Sequence, residues 1–209
     1  GGADVFVCRY DTQGNELWTR QFGTSEWDHM GKICADDTGA YVLGATGEAL
    51  PGQTHLGGHD VFVRKYDSSG NELWTRQFGS SEHEWAGAAS TFASGVYVVG
   101  TTSGALPGQA SSGGTDGFIR KYDQDGNELW TRQLGSSADE WYGSVSVDNT
   151  GIYVGGITYG TLPGQTSSGG QDIIVYRFDA NGSRRAVLQF GTSADEYCQV
   201  SICNRGLFV

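Results

Sequence analysis

The chain has 209 residues, 34 of them glycine and three proline, with 13 basic against 24 acidic side chains and a net charge of −11. Charge of that sign repels phosphate backbones and anionic bilayers, and no apolar run approaches the roughly 18 residues that span a bilayer, so neither nucleic acid nor membrane insertion is expected. The prolines are not scattered, which sets aside a disordered or collagen-like chain, and the expectation is one folded domain over residues 1–209 with no signal peptide before Gly1.

Laid on itself, the chain repeats every 56 residues, as Asp4, Asp60, Asp116 and Asp172 show, and again Gly23, Gly79, Gly135 and Gly191. The repeats are 1–56, 57–112, 113–168 and 169–209. Each opens on a short β-branched or aromatic segment, Val5-Phe6-Val7, Val61-Phe62-Val63, Gly117-Phe118-Ile119 or Ile173-Ile174-Val175, read as a first strand. Asp-x-x-Gly-Asn follows at 11–15, 67–71 and 123–127, where glycine permits the positive φ of a tight hairpin. Glu-Leu-Trp-Thr-Arg-Gln at 16–21, 72–77 and 128–133 is the second strand. A Gly-Ser/Thr-Ser turn with acids and rings leads to a third, whose alternate residues Ile33 and Ala35, Ala89 and Thr91, Val145 and Val147, Val200 and Ile202 share one face. A fourth strand, such as Val-Tyr-Val-Val at 96–99, ends in a glycine-rich connection carrying Leu-Pro-Gly-Gln at 50–53, 106–109 and 162–165. Four short strands per unit and no helical period predict an all-β repeat, and that repeat length is the signature of a β-propeller blade.

The run Gly-Gly-x-Asp-x-Phe-Val-Arg-Lys-Tyr-Asp-x-x-Gly-Asn-Glu-Leu-Trp-Thr-Arg-Gln-Phe-Gly, with Leu-Pro-Gly-Gln after the fourth strand, resembles the SBBP-type β-propeller repeat of secreted bacterial proteins over essentially the whole chain. The resemblance implies that the third strand is innermost, with the fourth strand and the next repeat's first and second strands outward from it. It implies no catalytic residues. The chain begins with first and second strands and stops with third and fourth, so the expectation is four four-stranded blades, the ring closed by pairing of the N- and C-terminal strands. The alternative is half of an eight-bladed ring.

Function is expected to lie on the loop face. The turn before the third strand and the Leu-Pro-Gly-Gln connection should emerge together, bringing Trp27, His29, Trp85, Trp141 and Tyr197 beside Gln53, Gln109 and Gln165. Aromatic plates with amides and carboxylates suit sugar rings, while packing between sheets is the competing reading. Trp18, Trp74 and Trp130, each two residues before an arginine on the second strand, read as packing and edge protection. Cys8, Cys34, Cys198 and Cys203 fall in repeats one and four, neighbours in a closed ring, and are either a disulfide clasp at the seam or small buried side chains. Asp123-Gln124-Asp125-Gly126-Asn127 matches a calcium loop only in part and is explained as a hairpin turn. No cofactor is expected, calcium being the one ion the acids would suit.

Gly-x-Ser-x-Gly, His-Glu-x-x-His and the P-loop pattern are missing, so the expectation is not an enzyme but an extracellular or cell-surface binding module for glycan or protein partners. The alternative is a structural block of a larger assembly, self-associating through the divergent repeat four around Val187 and Leu188.

Overall fold

The computed structural model describes residues 1–93, 95–203 and 206–209, with backbone alone for 202, 203 and 206. Every regular element among them is a strand. β1 (Val5–Tyr10) and β2 (Glu16–Phe22) form a two-stranded sheet. A four-stranded sheet follows, in the order β3 (Asp28–Asp36), β4 (Gly39–Thr46), β5 (Asp60–Tyr66), β6 (Glu72–Phe78). The next is β7 (Glu84–Phe92), β8 (Gly95–Thr102), β9 (Asp116–Asp123), β10 (Glu128–Leu134), and the third is β11 (Glu140–Asp148), β12 (Gly151–Thr158), β13 (Asp172–Phe178), β14 (Arg184–Phe190). β15 (Ser201–Cys203) and β16 (Gly206–Phe208) form a second two-stranded sheet. Each full sheet joins the third and fourth strands of one repeat to the first and second of the next, antiparallel throughout.

The first strands of successive sheets lie against one another, β3 on β7, β7 on β11 and β11 on β15. The expected closure between the chain ends is not formed among the described residues, where β1 pairs with β2 and β16 with β15. Beside β1 lies instead a depression of about 430 Å³ lined by Val7, Cys8, Trp18 and Ile33, and Met30 and Ile33 on β3 are about half exposed. The two short end sheets are therefore not one blade.

The Asp-x-x-Gly-Asn hairpins form for a local reason. Asp67 Oδ1 accepts the N–H groups of Ser69 and Asn71, its Oδ2 accepts Asn71 Nδ2, and Gly70 takes φ 78°. These bonds hold the Asp67 carboxyl below the usual carboxylate value. Asp123 is bonded the same way, its oxygens taken by Asp125 N, Asn127 N and Asn127 Nδ2.

Between sheets, the outermost strand of one is strapped to the hairpin of the next. Trp74 Nε1 donates to Gln124 O at 2.8 Å and Arg76 Nε to Gly126 O at 2.7 Å. The bonds recur from Trp18 and Arg20 to Ser68 and Gly70, and from Trp130 and Arg132 to Ala180 and Gly182. The tryptophan and arginine stripe is thus inter-sheet packing. Apolar cores fill the spaces between sheets, with Phe62 on Val42 and Leu50, Phe118 on Val96 and Leu106, and Ile174 on Tyr97 and Ile119. Burying each such side chain contributes roughly 1.5–3 kcal/mol.

Candidate functional site

The second residue of each third strand, or its equivalent, is a planar ring, His29 on β3, Trp85 on β7, Trp141 on β11 and Tyr197 ahead of β15. The first residue of these strands, Asp28, Glu84 or Glu140, is buried, and alternation turns the next side chain outward. Trp85 is 43% exposed, Trp141 55% and Tyr197 80%. Because β7, β11 and the segment before β15 are neighbours, these three rings border one cleft of about 540 Å³.

The floor of the cleft is apolar. It is made by Ala86, Gly87, Tyr142, Gly143, Gly156 and Ile157, with Thr101 and Cys198 at its sides. The Tyr142 hydroxyl is spent on Leu134 O at 2.9 Å, and the Cys198 thiol donates to Gly156 O at 3.2 Å. Few polar groups remain to bind a ligand's hydroxyls. The cleft can accept a flat or branched apolar group between indoles.

On its other side Trp85 meets histidine. His59 stacks on it with ring centroids 4.8 Å apart, and His29 meets it edge-on at 5.5 Å. His83 Nδ1 accepts the backbone N–H of His59 at 3.1 Å and lies 3.0 Å from His59 Nδ1. Since His83 Nδ1 is already an acceptor, the proton between the rings belongs to His59 Nδ1. Burial, aided by His83, His29 and His55, holds His59 below the ordinary histidine value of 6.5. In the following repeats a carboxylate does the same work, Asp139 Oδ1 accepting from Thr115 N and Asp195 Oδ1 from Gln171 N. Trp27, 60% exposed, stacks on His29 and borders a depression of about 690 Å³ with Glu26, Glu48, His55 and His59.

No family model matches the chain. It is similar to the Regulatory protein FlaEY of Caulobacter vibrioides, at 31% identity over 187 residues that take in 78% of this chain and 20% of that protein. The chain therefore spans about a fifth of the length of the curated relative it matches. The resemblance to SBBP-type repeats rests on the repeat motif itself.

The expected site residues do not all come together. Gln53, Gln109 and Gln165 do not line the cleft, and each uses its side-chain oxygen to accept the backbone N–H of Gln77, Gln133 or Gln189 on the outer strand of a sheet. Gln77, Gln133 and Gln189 in turn accept from the N–H of Leu50, Leu106 and Leu162, so a glutamine from each of two successive repeats latches the Leu-Pro-Gly-Gln loop to the sheet edge.

The disulfide expectation is corrected. Cys8, Cys34 and Cys198 are free thiols, and the side chain of Cys203 lies outside the described residues. Cys8 shares a hydrogen bond with Thr19 at 3.1 Å, whereas Cys34 packs into the core beside Tyr41 and Trp74, where burial pushes its thiol up to about 12. Cys8 and Cys34 thus sit on opposite faces of β3, Cys8 with Ile33 and Cys34 with the core. Free thiols give the expectation of an oxidising compartment no support.

What sequence reasoning missed is the cleft floor, Tyr142 and Ile157, and the pairing of His59 with His83. The signal for the second was present, since position 83 holds histidine where repeats three and four hold Asp139 and Asp195.

Proposed function

We propose that the chain is a non-enzymatic binding module, and that its four-stranded sheets are blades of a β-propeller whose inner strands present Trp85, Trp141 and Tyr197 to a partner. The observation that carries the binding reading is the cleft between two half-exposed tryptophans from equivalent positions, with an apolar floor. An apolar concavity walled by exposed aromatic rings is the usual form of a binding site. The scarcity of polar groups favours a protein partner offering an aromatic or aliphatic side chain over a glycan, whose hydroxyls would lose their hydrogen bonds to water on entry. Support for the propeller comes from the strand order within each sheet and the succession of β3, β7, β11 and β15. A regulatory relative accords with a module that binds other proteins.

The test is isothermal titration of the intact chain with acetylated, amidated peptides bearing a single Phe, Trp or Leu, alongside neutral oligosaccharides. Peptide binding with no heat from the oligosaccharides is expected. The reverse pattern returns the glycan reading.

A further inference from the structure

The central repeats each bury two acids that neither the core nor the cleft uses. Asp60 opens β5 and Glu84 opens β7, while Asp116 opens β9 and Glu140 opens β11, and all four are fully buried. A Cβ built on Gly79 would collide with both Asp60 Oδ1 and Glu84 Oε2, and one on Gly135 with both Asp116 Oδ1 and Glu140 Oε2. Each pair of carboxyls therefore meets across one glycine.

Their hydrogen bonds are lopsided. Glu140 is well supplied, Oε2 accepting Ser136 N at 2.6 Å and Oε1 accepting Ser136 Oγ and Thr158 Oγ1, both at 2.6 Å. Asp116 Oδ2 accepts Ser112 N at 2.8 Å and Gln133 Nε2 at 2.7 Å, but its Oδ1 has no donor, and neither has Asp60 Oδ1. Glu84 repeats the Glu140 pattern through Ser80 and Thr102. Two bare negative charges this close, out of water, with one oxygen unpaired, cost far more than one charge and a proton. No arginine or lysine offsets them, the described ion pairs being Arg64–Glu72, Arg120–Glu128 and Arg185–Asp179.

We propose that Asp60 with Glu84, and Asp116 with Glu140, each retain one proton at neutral pH, carried on the aspartate Oδ1 and donated to the glutamate Oε2. The bond gives the orphaned oxygen a partner and ties the turn before β7 or β11 to the start of β5 or β9. The groups facing the second pair are Gln133 from β10, Ser136 from the turn, Thr158 from β12, and the phenols Tyr142 and Tyr176, which burial pushes above the ordinary tyrosine value and which stay neutral. Burial likewise pushes the Glu140 carboxyl up from 4.5, with Asp116 adding to it. The end repeats are looser. Asp4 is exposed, and Asp172 Oδ1 already accepts Ser168 N at 3.4 Å.

The bond made by the shared proton contributes stability that is lost as pH rises and the pair gives that proton up. Asp116→Asn replaces the protonated oxygen with an N–H donor that no pH in this range removes. Thermal melts of the intact chain should find the melting temperature of Asp116→Asn rising relative to the parent between pH 5 and pH 9, by roughly 3 °C or more. Isotope-edited infrared spectra of the parent at pH 7 should show the carbonyl stretch of protonated aspartic acid, a reading that needs no variant. Two results would overturn the proposal: no protonated aspartate at pH 7, or melting raised by calcium chloride and lowered by chelator, which would put a cation where the proton is placed. Asp60→Asn repeats the comparison if Asp116→Asn does not fold.

Discussion

The two faces of Trp85 show how one repeated scaffold carries two chemistries. On one side, toward Trp141 and Tyr197, the space stays open and apolar. On the other, toward His29, it is filled by His59, which stacks on the indole and hydrogen-bonds to His83 behind it. The backbone is equivalent on both sides, since Thr115 and Asp139 occupy in repeat three the places of His59 and His83 in repeat two. The difference is made by side chains alone. Where a carboxylate accepts the loop N–H, no ring is added and the neighbouring tryptophan keeps a free face. Where imidazole accepts it, the donating residue is itself a ring, His59, which stacks on the indole and closes the space. One side is therefore an open apolar cleft, and the other a packed patch sensitive to acid.

The largest effect expected is on the open side. Trp141→Ala removes one wall of the cleft, and peptide affinity should fall at least tenfold, about 1.4 kcal/mol, while the response to acid stays as in the parent. Equal affinity in titration calorimetry would remove the cleft from the account. A smaller effect is expected on the histidine side. His59 is held below its ordinary value, so the stability it contributes is present above 6.5 and lost as pH falls through the folded value. His83→Asp, which installs the acceptor found at Asp139, should leave peptide binding unchanged and make the chain more stable than the parent near pH 5 by roughly 0.5–1 kcal/mol, modest because the pair is partly solvated. Denaturant melts at pH 5 and pH 8 check this, and an unchanged acid response would show that the two imidazoles are not coupled.

Much of this architecture was legible because its causes are local. Asp67, Gly70 and Asn71 build a hairpin from five consecutive residues, and the identical spacing at Asp11 and Asp123 announces the same turn. The order of strands within a sheet followed from the repeat and the resemblance. The rings at positions 85 and 141 were marked by their recurrence before the third strand, but packing between sheets was the competing reading, and it is the buried Glu84 and Glu140 that turn them outward. The rest depends on pairings across sheets. Gln53 reads as a loop amide free for ligand, yet its oxygen meets the N–H of Gln77 on an outer strand, a partner that no local pattern names. Asp60 and Asp116 marked the period without disclosing that Glu84 and Glu140 stand against them. Ring closure was inferred from complementary ends, and the depression between Val7 and Ile33 shows that complementary sequence did not bring those ends together.

The six tryptophans make the central claim directly measurable, because each indole N–H gives its own proton–nitrogen resonance. Trp18, Trp74 and Trp130 donate to backbone carbonyls between sheets, Trp27 borders the histidine patch, and Trp85 and Trp141 wall the cleft. Titrating the intact chain with an acetylated, amidated phenylalanine peptide should move the Trp85 and Trp141 signals together along one saturating curve and leave the other four in place. Movement of Trp27 alone, or of none of the six, would contradict the assignment of binding to the cleft.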